Sequence, residues 1–248
     1  MKRIVITGST TGIGKLLKEN LESQGHTVLG LARTSKEFAC DVTNYEQVEA
    51  WSTYFLDAFD GIDALITCAG TQGELGSIHK TDPLKWADTI NVNLIGTYNC
   101  IRAFYPIMDC TRPKIICMAG GGSAYGRPYF SAYAAAKTAV VRLVESVAGE
   151  YTTLDINAVA PGAIKTDIIK SALEAGPEII GKDEYEKAKK QSEGGDSPEH
   201  LISLVNWLLS ETSNGISGKF ISAKWDDWKS YKKENTNKDA LTLRRQLF

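Results

Sequence analysis

The chain has 248 residues, a formal net charge of −2 and 23% charged residues, values typical of a soluble globular protein of one large or two small domains. Hydrophobic residues make up 43%, which excludes disorder as the dominant state, and the near-neutral charge excludes a strongly basic nucleic-acid-binding surface. No run approaches the roughly 18 apolar residues of a membrane-spanning helix, and the N-terminal apolar run is too short for a signal peptide. We therefore expect a cytoplasmic protein with neither a nucleic-acid nor a membrane partner.

Short apolar runs alternate with longer helical patterns. The first half predicts strands at residues 4–6, 27–31, 38–40 and 64–67. It also predicts a first helix that stops near Gln24, before Gly25, and a second helix opened by a capping box of Asn44 and Gln47.

In the second half, Asp82 and Pro83 predict the cap of a long helix over residues 86–108. Strands are predicted at 115–118, 155–159 and 220–222, with a helix between the first two and another opened by Ser197-Pro198-Glu199. This alternation predicts a parallel sheet with helices on both faces. Residues 168–196 are the least strand-like part, and their lysine-rich helix is either a mobile lid or ordinary solvated surface.

The cysteines and histidines indicate no metal site. The five cysteines are odd in number and form no C-x-x-C pair, so free thiols are expected rather than disulfides. The three histidines lie far apart without metal-ligand spacing. The cysteines are Cys40, Cys68, Cys100, Cys110 and Cys117, and the histidines are His26, His79 and His200.

A glycine-rich turn joins the first strand to the first helix. Its glycines permit a tight turn and close approach of a pyrophosphate, and the helix N-terminus supplies free N–H groups. The turn predicts a dinucleotide site at Gly8, Ser9, Thr10, Thr11, Gly12, Ile13 and Gly14.

The second strand ends without the acidic residue that would bind a ribose 2′-hydroxyl, and Arg33 is suited to a 2′-phosphate. This favours NADP(H) over NAD(H), the alternative for Arg33 being a solvated surface side chain.

Tyr133 and Lys137 lie four residues apart, on one face of a predicted helix. A free phenol has a pKa near 10, and a cation beside it lowers that pKa by favouring the phenolate. Such a pair exchanges a proton with a hydroxyl or carbonyl group while a hydride moves.

With these features the chain resembles the short-chain dehydrogenase/reductase family, in its short single-domain branch. The resemblance covers about residues 1–223 and includes six motifs in the family's order. These are the glycine turn, Asp41-Val42, Cys68-Ala69-Gly70, Asn93 within residues 91–96, Tyr133 with Lys137, and Pro161-Gly162-x-Ile164-x-Thr166. One motif departs from the family, which has Asn where this chain has Cys68.

The resemblance implies an α/β fold, a three-layer Rossmann-type doubly wound parallel sheet of about seven strands in the order 3-2-1-4-5-6-7. It implies one NAD(P)-binding domain over residues 1–223, with a substrate loop at about 168–196, followed by a C-terminal arm at 224–248. It also implies a homodimer or homotetramer formed through the helices near 86–108 and 131–149.

The resemblance also assigns roles to the motifs. Tyr133 is implied as general acid in reduction and general base in oxidation. Lys137 is implied to bind the nicotinamide ribose and to lower the tyrosine pKa, and Asn93 to position a relay water. Further cofactor contacts are implied at Asp41, Val42, Cys68, Ala69, Gly70, Pro161, Gly162, Ile164 and Thr166.

The chain also departs from the family at the end of the fifth predicted strand. The family usually has a serine there that hydrogen-bonds the substrate oxygen, but this chain has Ala119. Either Ser123 in the same loop or a hydroxyl of the substrate replaces it, or the protein is a dinucleotide-binding sensor or scaffold without catalysis. A nucleotide-sugar epimerase or dehydratase is a third hypothesis, for which the chain has little room.

The end of the chain carries the only hint of a substrate. Trp225 and Trp228 lie among cations, a combination that suits a sugar or sugar derivative, although a solvated oligomer surface is equally compatible. The cations are Lys224, Lys229, Lys232, Lys233, Arg244 and Arg245.

Overall fold

The computed structural model describes residues 1–231 and 239–244, so Lys232, Lys233 and Arg245 of the predicted arm lie outside the described residues. Six parallel strands form one sheet in the order β2-β1-β3-β4-β5-β6. The strands are β1 Arg3–Thr7, β2 Thr27–Leu31, β3 Ala64–Thr67, β4 Lys114–Met118, β5 Asp155–Ala160 and β6 Lys219–Ser222. The predicted doubly wound parallel sheet is confirmed.

The strand predicted at residues 38–40 is the exception, so the described sheet has six strands rather than about seven. Only Ala39 pairs with the sheet, through an isolated parallel bridge to Ala32. The indole Nε1 of Trp51 donates to the carbonyl oxygen of Ala39 at 2.8 Å. The Ala32 N–H donates to the carbonyl oxygen of Phe38 and the Cys40 N–H to that of Ala32, so pairing stops after one bridge while Trp51 covers the outer edge, and the chain turns into the next helix after Cys40.

Helices cover both faces of the sheet. They are α1 Gly12–Ser23, α2 Tyr45–Phe59, α3 Pro83–Ile90, α4 Gly96–Phe104, α5 Ser131–Glu150, α6 Lys170–Ile180, α7 Lys182–Glu193 and α8 Glu199–Leu209. Side chains of α2, α4 and α5 pack on one face around Phe55, Phe104 and Val144. Those of α1 and α8 pack on the other face around Leu17 and Leu204. Alternate strand residues feed the two layers because side chains of a strand point to opposite faces.

The long helix predicted over 86–108 is interrupted. A π-helical turn at Asn91–Ile95 separates α3 from α4. Such turns insert one extra residue and are frequent at functional sites. Asn93 lies in this turn and is fully buried.

Residues 168–196 fold as the helix pair α6 and α7, with Gly176 at φ 71° marking a kink in α6. A third apolar cluster joins Ala172, Ile180 and Ala188 of this pair to Phe130 and Tyr133. The pair therefore covers the N-terminal end of α5 and is more than solvated surface. We call α6 and α7 the cover helices.

Three properties of the described residues bear on the sequence predictions. None of their helices has the length and apolar character needed to cross a bilayer. All five cysteines are free thiols. Residues 1–231 and 239–244 contain no group of three or more His, Cys, Asp or Glu side chains arranged to hold a metal ion.

Candidate active site

The glycine turn after β1 is closed by backbone contacts that exclude side chains. A β-carbon on Gly14 would lie 2.2 Å from the carbonyl oxygen of Gly8, and one on Gly8 would lie 2.8 Å from Cα of Ala69. Gly8 also has φ +67°, the left-handed region that favours glycine. Thr7 Oγ1 accepts hydrogen bonds from the N–H groups of Cys68 and Ala69, both at 3.1 Å. The turn is thereby fastened to the carboxyl end of β3.

The N-terminus of α1 opens into a cleft and fits a dinucleotide pyrophosphate. No side chain caps this helix, so its first N–H groups are free of a side-chain partner, and its first turn has no acidic residue. A β-carbon on Gly12 would lie 3.5 Å from Cβ of Thr166, which faces the turn from beyond β5. The cleft, of about 460 Å³, is also lined by Thr10, Thr11 and Lys15. The turn, the helix end and Thr166 thus surround a space where an anion is favoured.

Arg33 lies at the exposed end of β2 and makes no hydrogen bond or ion pair to any residue of the described ranges. Thr34, next to it, shares a hydrogen bond of 2.9 Å with Thr10 of the glycine turn. Arg33 is therefore free to reach a group bound beside that turn.

Asp41 and Val42 lie further along this edge of the sheet. The Asp41 carboxylate accepts from both the N–H and the hydroxyl of Thr43, at 2.9 and 2.8 Å, and so stabilises the turn before α2. Val42 is buried, and a β-carbon on Gly96 would lie 2.6 Å from its Cγ2. Both residues have local packing roles in the structure, and their predicted adenine contacts remain predictions.

Tyr133 and Lys137 lie on the first two turns of α5 and reach the carboxyl ends of β3 and β4. The Tyr133 hydroxyl is 2.8 Å from the position of a β-carbon on Gly120, and Lys137 Nζ is 3.5 Å from that of Gly70. Lys137 Nζ donates to the carbonyl oxygen of Met118 at 2.9 Å. Both side chains line one large cavity of about 1210 Å³.

Burial shifts the pKa values of the pair in opposite directions. It raises the pKa of Tyr133, and the positive charge of the Arg127 guanidinium opposes this shift. It lowers the pKa of Lys137 to about 8, against a smaller raising effect of Cys68 and Cys117. Lys137 therefore loses its proton before the phenol ionises. Arg127 is the cation whose charge lowers the pKa of Tyr133 here, and the acidifying role of Lys137 remains a prediction.

Asn93 positions the loop after β3. Its Nδ2 donates to the carbonyl oxygens of Thr71 and Thr89, both at 2.9 Å, and its Oδ1 accepts from the Thr71 N–H at 3.3 Å. That oxygen lies 2.9 Å from the position of a β-carbon on Gly70. Both amide donors are thus engaged by backbone, and the relay-water role remains a prediction.

The loop after β4 brings Ala119 and Ser123 near the pair in different ways. Ala119 is buried, lines the large cavity and carries no hydroxyl. Ser123 is also buried, but its Oγ accepts from the N–H of Gly120 at 3.2 Å, and Ser123 does not line the cavity. The structure therefore holds the Ser123 hydroxyl inside the loop rather than at the substrate position.

The predicted nicotinamide loop after β5 is held by Asp196. One oxygen of Asp196 accepts from the N–H of Ala163 at 2.8 Å, and the other accepts from Lys224 Nζ at 2.5 Å. A β-carbon on Gly162 would lie 3.0 Å from that first oxygen. Pro161 and Gly162 line the large cavity, while Ile164 and Thr166 line both cavities.

The structure adds residues that the sequence analysis missed. Arg127 and Lys187 line the same cavity as Tyr133 and share the carboxylate of Glu184. Glu184 belongs to the lysine-rich helix that resembled solvated surface, and Arg127 lies 57 residues away in sequence. The sequence offered one signal for this group of residues, namely that Arg127 lies only six residues before the predicted catalytic Tyr133.

A protein-family model described as enoyl-(acyl carrier protein) reductase matches residues 9–223. The chain is similar to the 3-oxoacyl-(acyl-carrier-protein) reductase FabG of Vibrio cholerae, with 31% identity over 238 residues that cover 88% of this chain and 93% of that protein.

Two solved structures share the fold. The ligand-free aldohexose dehydrogenase of Thermoplasma acidophilum is 27% identical, has a TM-score of 0.78 and is matched over 90% of this chain and 92% of that one. A short-chain dehydrogenase of Shigella flexneri, solved with NADP, is 21% identical, has a TM-score of 0.78 and is matched over 90% of this chain and 96% of that one.

Proposed function

The chain belongs to the short-chain dehydrogenase/reductase family and is an oxidoreductase, and from that premise we propose that it transfers a hydride between NADP(H) and a secondary alcohol or its carbonyl. The observation that carries the proposal is the meeting of three elements at one edge of the sheet. These are the uncapped N-terminus of α1, the Tyr133 hydroxyl beside Gly120 and the Lys137 ammonium beside Gly70.

The chain's own residues handle the proton. A bound nicotinamide supplies or accepts the hydride. Tyr133 donates its hydroxyl proton to the substrate oxygen in reduction and takes it back in oxidation. Because burial raises the pKa of Tyr133, the phenol is protonated at neutral pH, the state that reduction requires. Lys137 donates one hydrogen bond to Met118 and lines the cavity, where a ribose hydroxyl would accept from its remaining N–H groups.

The preference for NADP(H) rests on Arg33. No described residue engages its guanidinium, and its neighbour Thr34 is hydrogen-bonded to the glycine turn. A 2′-phosphate on a nucleotide bound at this turn would meet the planar fork of Arg33, which suits phosphate. The Shigella flexneri protein solved with NADP has the same fold.

We propose a sugar or sugar derivative as the substrate. Trp225 is 78% exposed and lines the large cavity, and the Lys224 ammonium lies 4.5 Å from the centre of its indole ring. An aromatic face beside a cation suits the hydroxyl-rich, partly apolar surface of a sugar. The similar Thermoplasma acidophilum protein is an aldohexose dehydrogenase.

The proposal extends to the organisation of the molecule. Residues 1–223 would form the cofactor-binding domain and 224–248 an arm. In the described part of that arm, the Leu241 carbonyl accepts from the N–H of Phe220 in β6 at 2.7 Å. A cytoplasmic homodimer or homotetramer completes the proposal.

One observation favours a second function. Ala119 offers no donor to the substrate oxygen, and Ser123 is turned away from it. Loss of a donor to a developing oxyanion lowers a rate by about 10²–10³. The alternative is therefore a sensor or scaffold that binds the dinucleotide without catalysis.

Turnover measurements separate the two functions. Purified protein is mixed with NADPH and a panel of ketoses, keto-sugars and nucleotide sugars, and NADPH absorbance is followed. We expect oxidation of NADPH with at least one compound and a loss of about 10²–10⁴ in kcat for Tyr133→Phe, with NADPH binding retained. Tight NADPH binding without turnover in either direction, unchanged in Tyr133→Phe, would instead establish the sensor.

A further inference from the structure

Arg127 presents a fixed guanidinium to the large cavity. It lies in the loop between β4 and α5, and its Cζ is 3.7 Å from the centre of the Phe130 ring. Its side chain is only 20% exposed. The stacking on Phe130 fixes the plane of the guanidinium, so that little side-chain freedom remains to be lost on binding a ligand.

Glu184 of the cover helix α7 orients this guanidinium. Arg127 Nε donates to one carboxylate oxygen of Glu184 at 2.8 Å, and Lys187 Nζ donates to the other at 2.7 Å. Burial alone would raise the pKa of Glu184, but the hydrogen bonds from Lys187 and Arg127 outweigh it and hold that pKa below its usual range. Glu184 is thus ionised at neutral pH, and the three groups together carry one net positive charge.

The outer nitrogens of Arg127 are available to a ligand. An arginine has five N–H donors, and here Nε alone is used by Glu184. The two Nη groups donate to no residue within 1–231 or 239–244. Nη1 lies 3.6 Å from the position of a β-carbon on Gly121, and the neighbouring position on Gly120 lies beside the Tyr133 hydroxyl. Arg127 and Tyr133 line the same cavity, so these donors belong to the cavity in which the reacting oxygen would lie.

An anion bound here would not be the pyrophosphate of the dinucleotide. Thr10, Thr11, Gly12 and Lys15 at the uncapped end of α1 line an adjoining cleft to which Arg127 does not belong, although Ile13 and Thr166 also line the large cavity. The cavity of Arg127 also contains Lys187 and Lys190, both on the cover helix α7. Since Ala119 gives the substrate no hydroxyl to bind, a second anchor near Tyr133 would orient it.

We infer that the Nη groups of Arg127 bind a negatively charged group of the substrate, a carboxylate or a phosphate, and that Arg127 thereby selects anionic oxo or hydroxy compounds. The inference rests on the proposed function for its reaction. Its physical basis is the planar fork of arginine, which matches both anions with two parallel hydrogen bonds.

Matched substrate pairs test the selection. Acetoacetate is compared with methyl acetoacetate, and fructose 6-phosphate with fructose, so that the two pairs distinguish a carboxylate from a phosphate. For the pair that is turned over, we expect kcat/KM to favour the anionic member. In Arg127→Gln that preference should fall by roughly tenfold to a hundredfold, the usual effect of losing charged hydrogen bonds.

Two further variants distinguish recognition of the anionic group by Arg127 from a purely structural role of Arg127 beside Glu184. Arg127→Lys keeps a cation beside Glu184 but loses the fork, so an intermediate preference is expected. Lys189→Gln removes one exposed positive charge from the same helix, outside the cavity lining, and should keep the wild-type preference. The inference would be overturned if the wild type preferred the neutral compounds. It would also be overturned if Arg127→Gln lowered kcat/KM equally for the anionic and the neutral compound of a pair.

A binding measurement keeps the inference testable if no compound is turned over, which would count against the proposed function alone. Inorganic phosphate is titrated calorimetrically into protein saturated with NADPH, so that the α1 cleft is blocked. We expect binding to the wild type and Lys189→Gln, and at least roughly tenfold weaker binding to Arg127→Gln. Equal phosphate affinity in all three proteins, or none in the wild type, would contradict the anion site.

Discussion

The Lys137 ammonium lies 5.8 Å from the centre of the Tyr133 ring and donates instead to the carbonyl oxygen of Met118 at 2.9 Å. It is therefore a buried cation with one fixed hydrogen bond and no carboxylate partner among the described residues. Burial disfavours the charged form, which is why the pKa of Lys137 falls from 10.5 to about 8.

This shift makes stability depend on pH. Below pH 8 Lys137 is protonated in both the folded and the unfolded chain, so the folded state bears the full burial penalty. Between about pH 8 and 10.5 only the unfolded chain holds that proton, so this group's contribution to stability rises with pH. The Lys137→Met variant lacks this titration, so its free energy of unfolding should not share the rise of the wild type. We therefore expect the stability advantage of Lys137→Met over the wild type to shrink by about 2 kcal/mol from pH 8 to 9.5.

Urea denaturation of the cofactor-free proteins at several pH values measures this difference. The buried thiols, whose pKa values are raised by burial, act in the opposite direction but are common to both proteins and cancel. A difference that stays constant across the range would show that Lys137 titrates at its ordinary pKa.

The close approach of Gly14 to Gly8 gives a second prediction. Alanine is normally favoured over glycine in a helix by about 1 kcal/mol, but here its β-carbon would lie 2.2 Å from a carbonyl oxygen. We expect Gly14→Ala to lower the free energy of unfolding by about 1–3 kcal/mol and to weaken NADPH binding at least roughly tenfold, because the turn must move. Urea denaturation and fluorescence titration with NADPH measure both effects.

Gly149 provides the matched control. It lies in the last turn of α5, and a β-carbon there would meet no atom within 4 Å. Gly149→Ala should leave NADPH binding unchanged and raise stability by up to about 1 kcal/mol. Equal effects of the two substitutions would show that the turn accommodates a side chain.

The strands and the motifs on their carboxyl ends were predictable because they depend on local patterns. The strands at 27–31 and 64–67 have the predicted bounds, since each is a short apolar run between turn residues. Asn44 accepts from the N–H of Gln47 as a capping box requires, although the Gln47 side chain bonds to Asp41 instead of closing the box.

Features that depend on distant segments were not predictable. Residues 38–40 have strand-like character, but they pair with the sheet only through the bridge of Ala39 to Ala32, and the indole of Trp51 binds the outer carbonyl of Ala39. The π turn at Asn93 depends on its contacts with the loop at Thr71. Arg127 and Glu184 meet only because the cover helices fold back over α5, which no local periodicity reveals.

Arg33 gives a third prediction, on cofactor choice. Its removal in Arg33→Ala should weaken NADPH binding by roughly tenfold to a hundredfold, the range for losing charged hydrogen bonds to a phosphate. Binding of NADH, which has no 2′-phosphate, should change by less than about threefold, on the scale of an ordinary surface substitution. Fluorescence titrations with NADPH and NADH measure the ratio of the two affinities in the variant and in the wild type.

Lys36→Gln is the control for this experiment. Lys36 is exposed, lies three residues from Arg33 and carries the same charge, so it tests whether general electrostatic attraction accounts for the effect. If both variants weaken NADPH binding equally, Arg33 has no specific contact with the 2′-phosphate.

Ala119 gives the last prediction. It is buried at the end of β4, with its N–H bonded to the Val159 carbonyl at 2.9 Å, and the next residue, Gly120, lies beside the Tyr133 hydroxyl. Ala119→Ser adds one hydroxyl donor at this position. Since removing such a donor lowers a rate by about 10²–10³, adding one should raise kcat for a neutral ketone by roughly tenfold, with part of the effect lost to imperfect geometry.

Ala135→Ser places the same hydroxyl on the exposed face of α5 and should leave kcat unchanged. The measurement is steady-state kcat with NADPH and one neutral ketone, compared among the wild type, Ala119→Ser and Ala135→Ser. An unchanged kcat in Ala119→Ser, with Tyr133→Phe still inactive, would mean that another group already stabilises the substrate oxygen. The guanidinium of Arg127 would then be a candidate for that role, because it lines the same cavity as Tyr133 and its charge lowers the pKa of Tyr133.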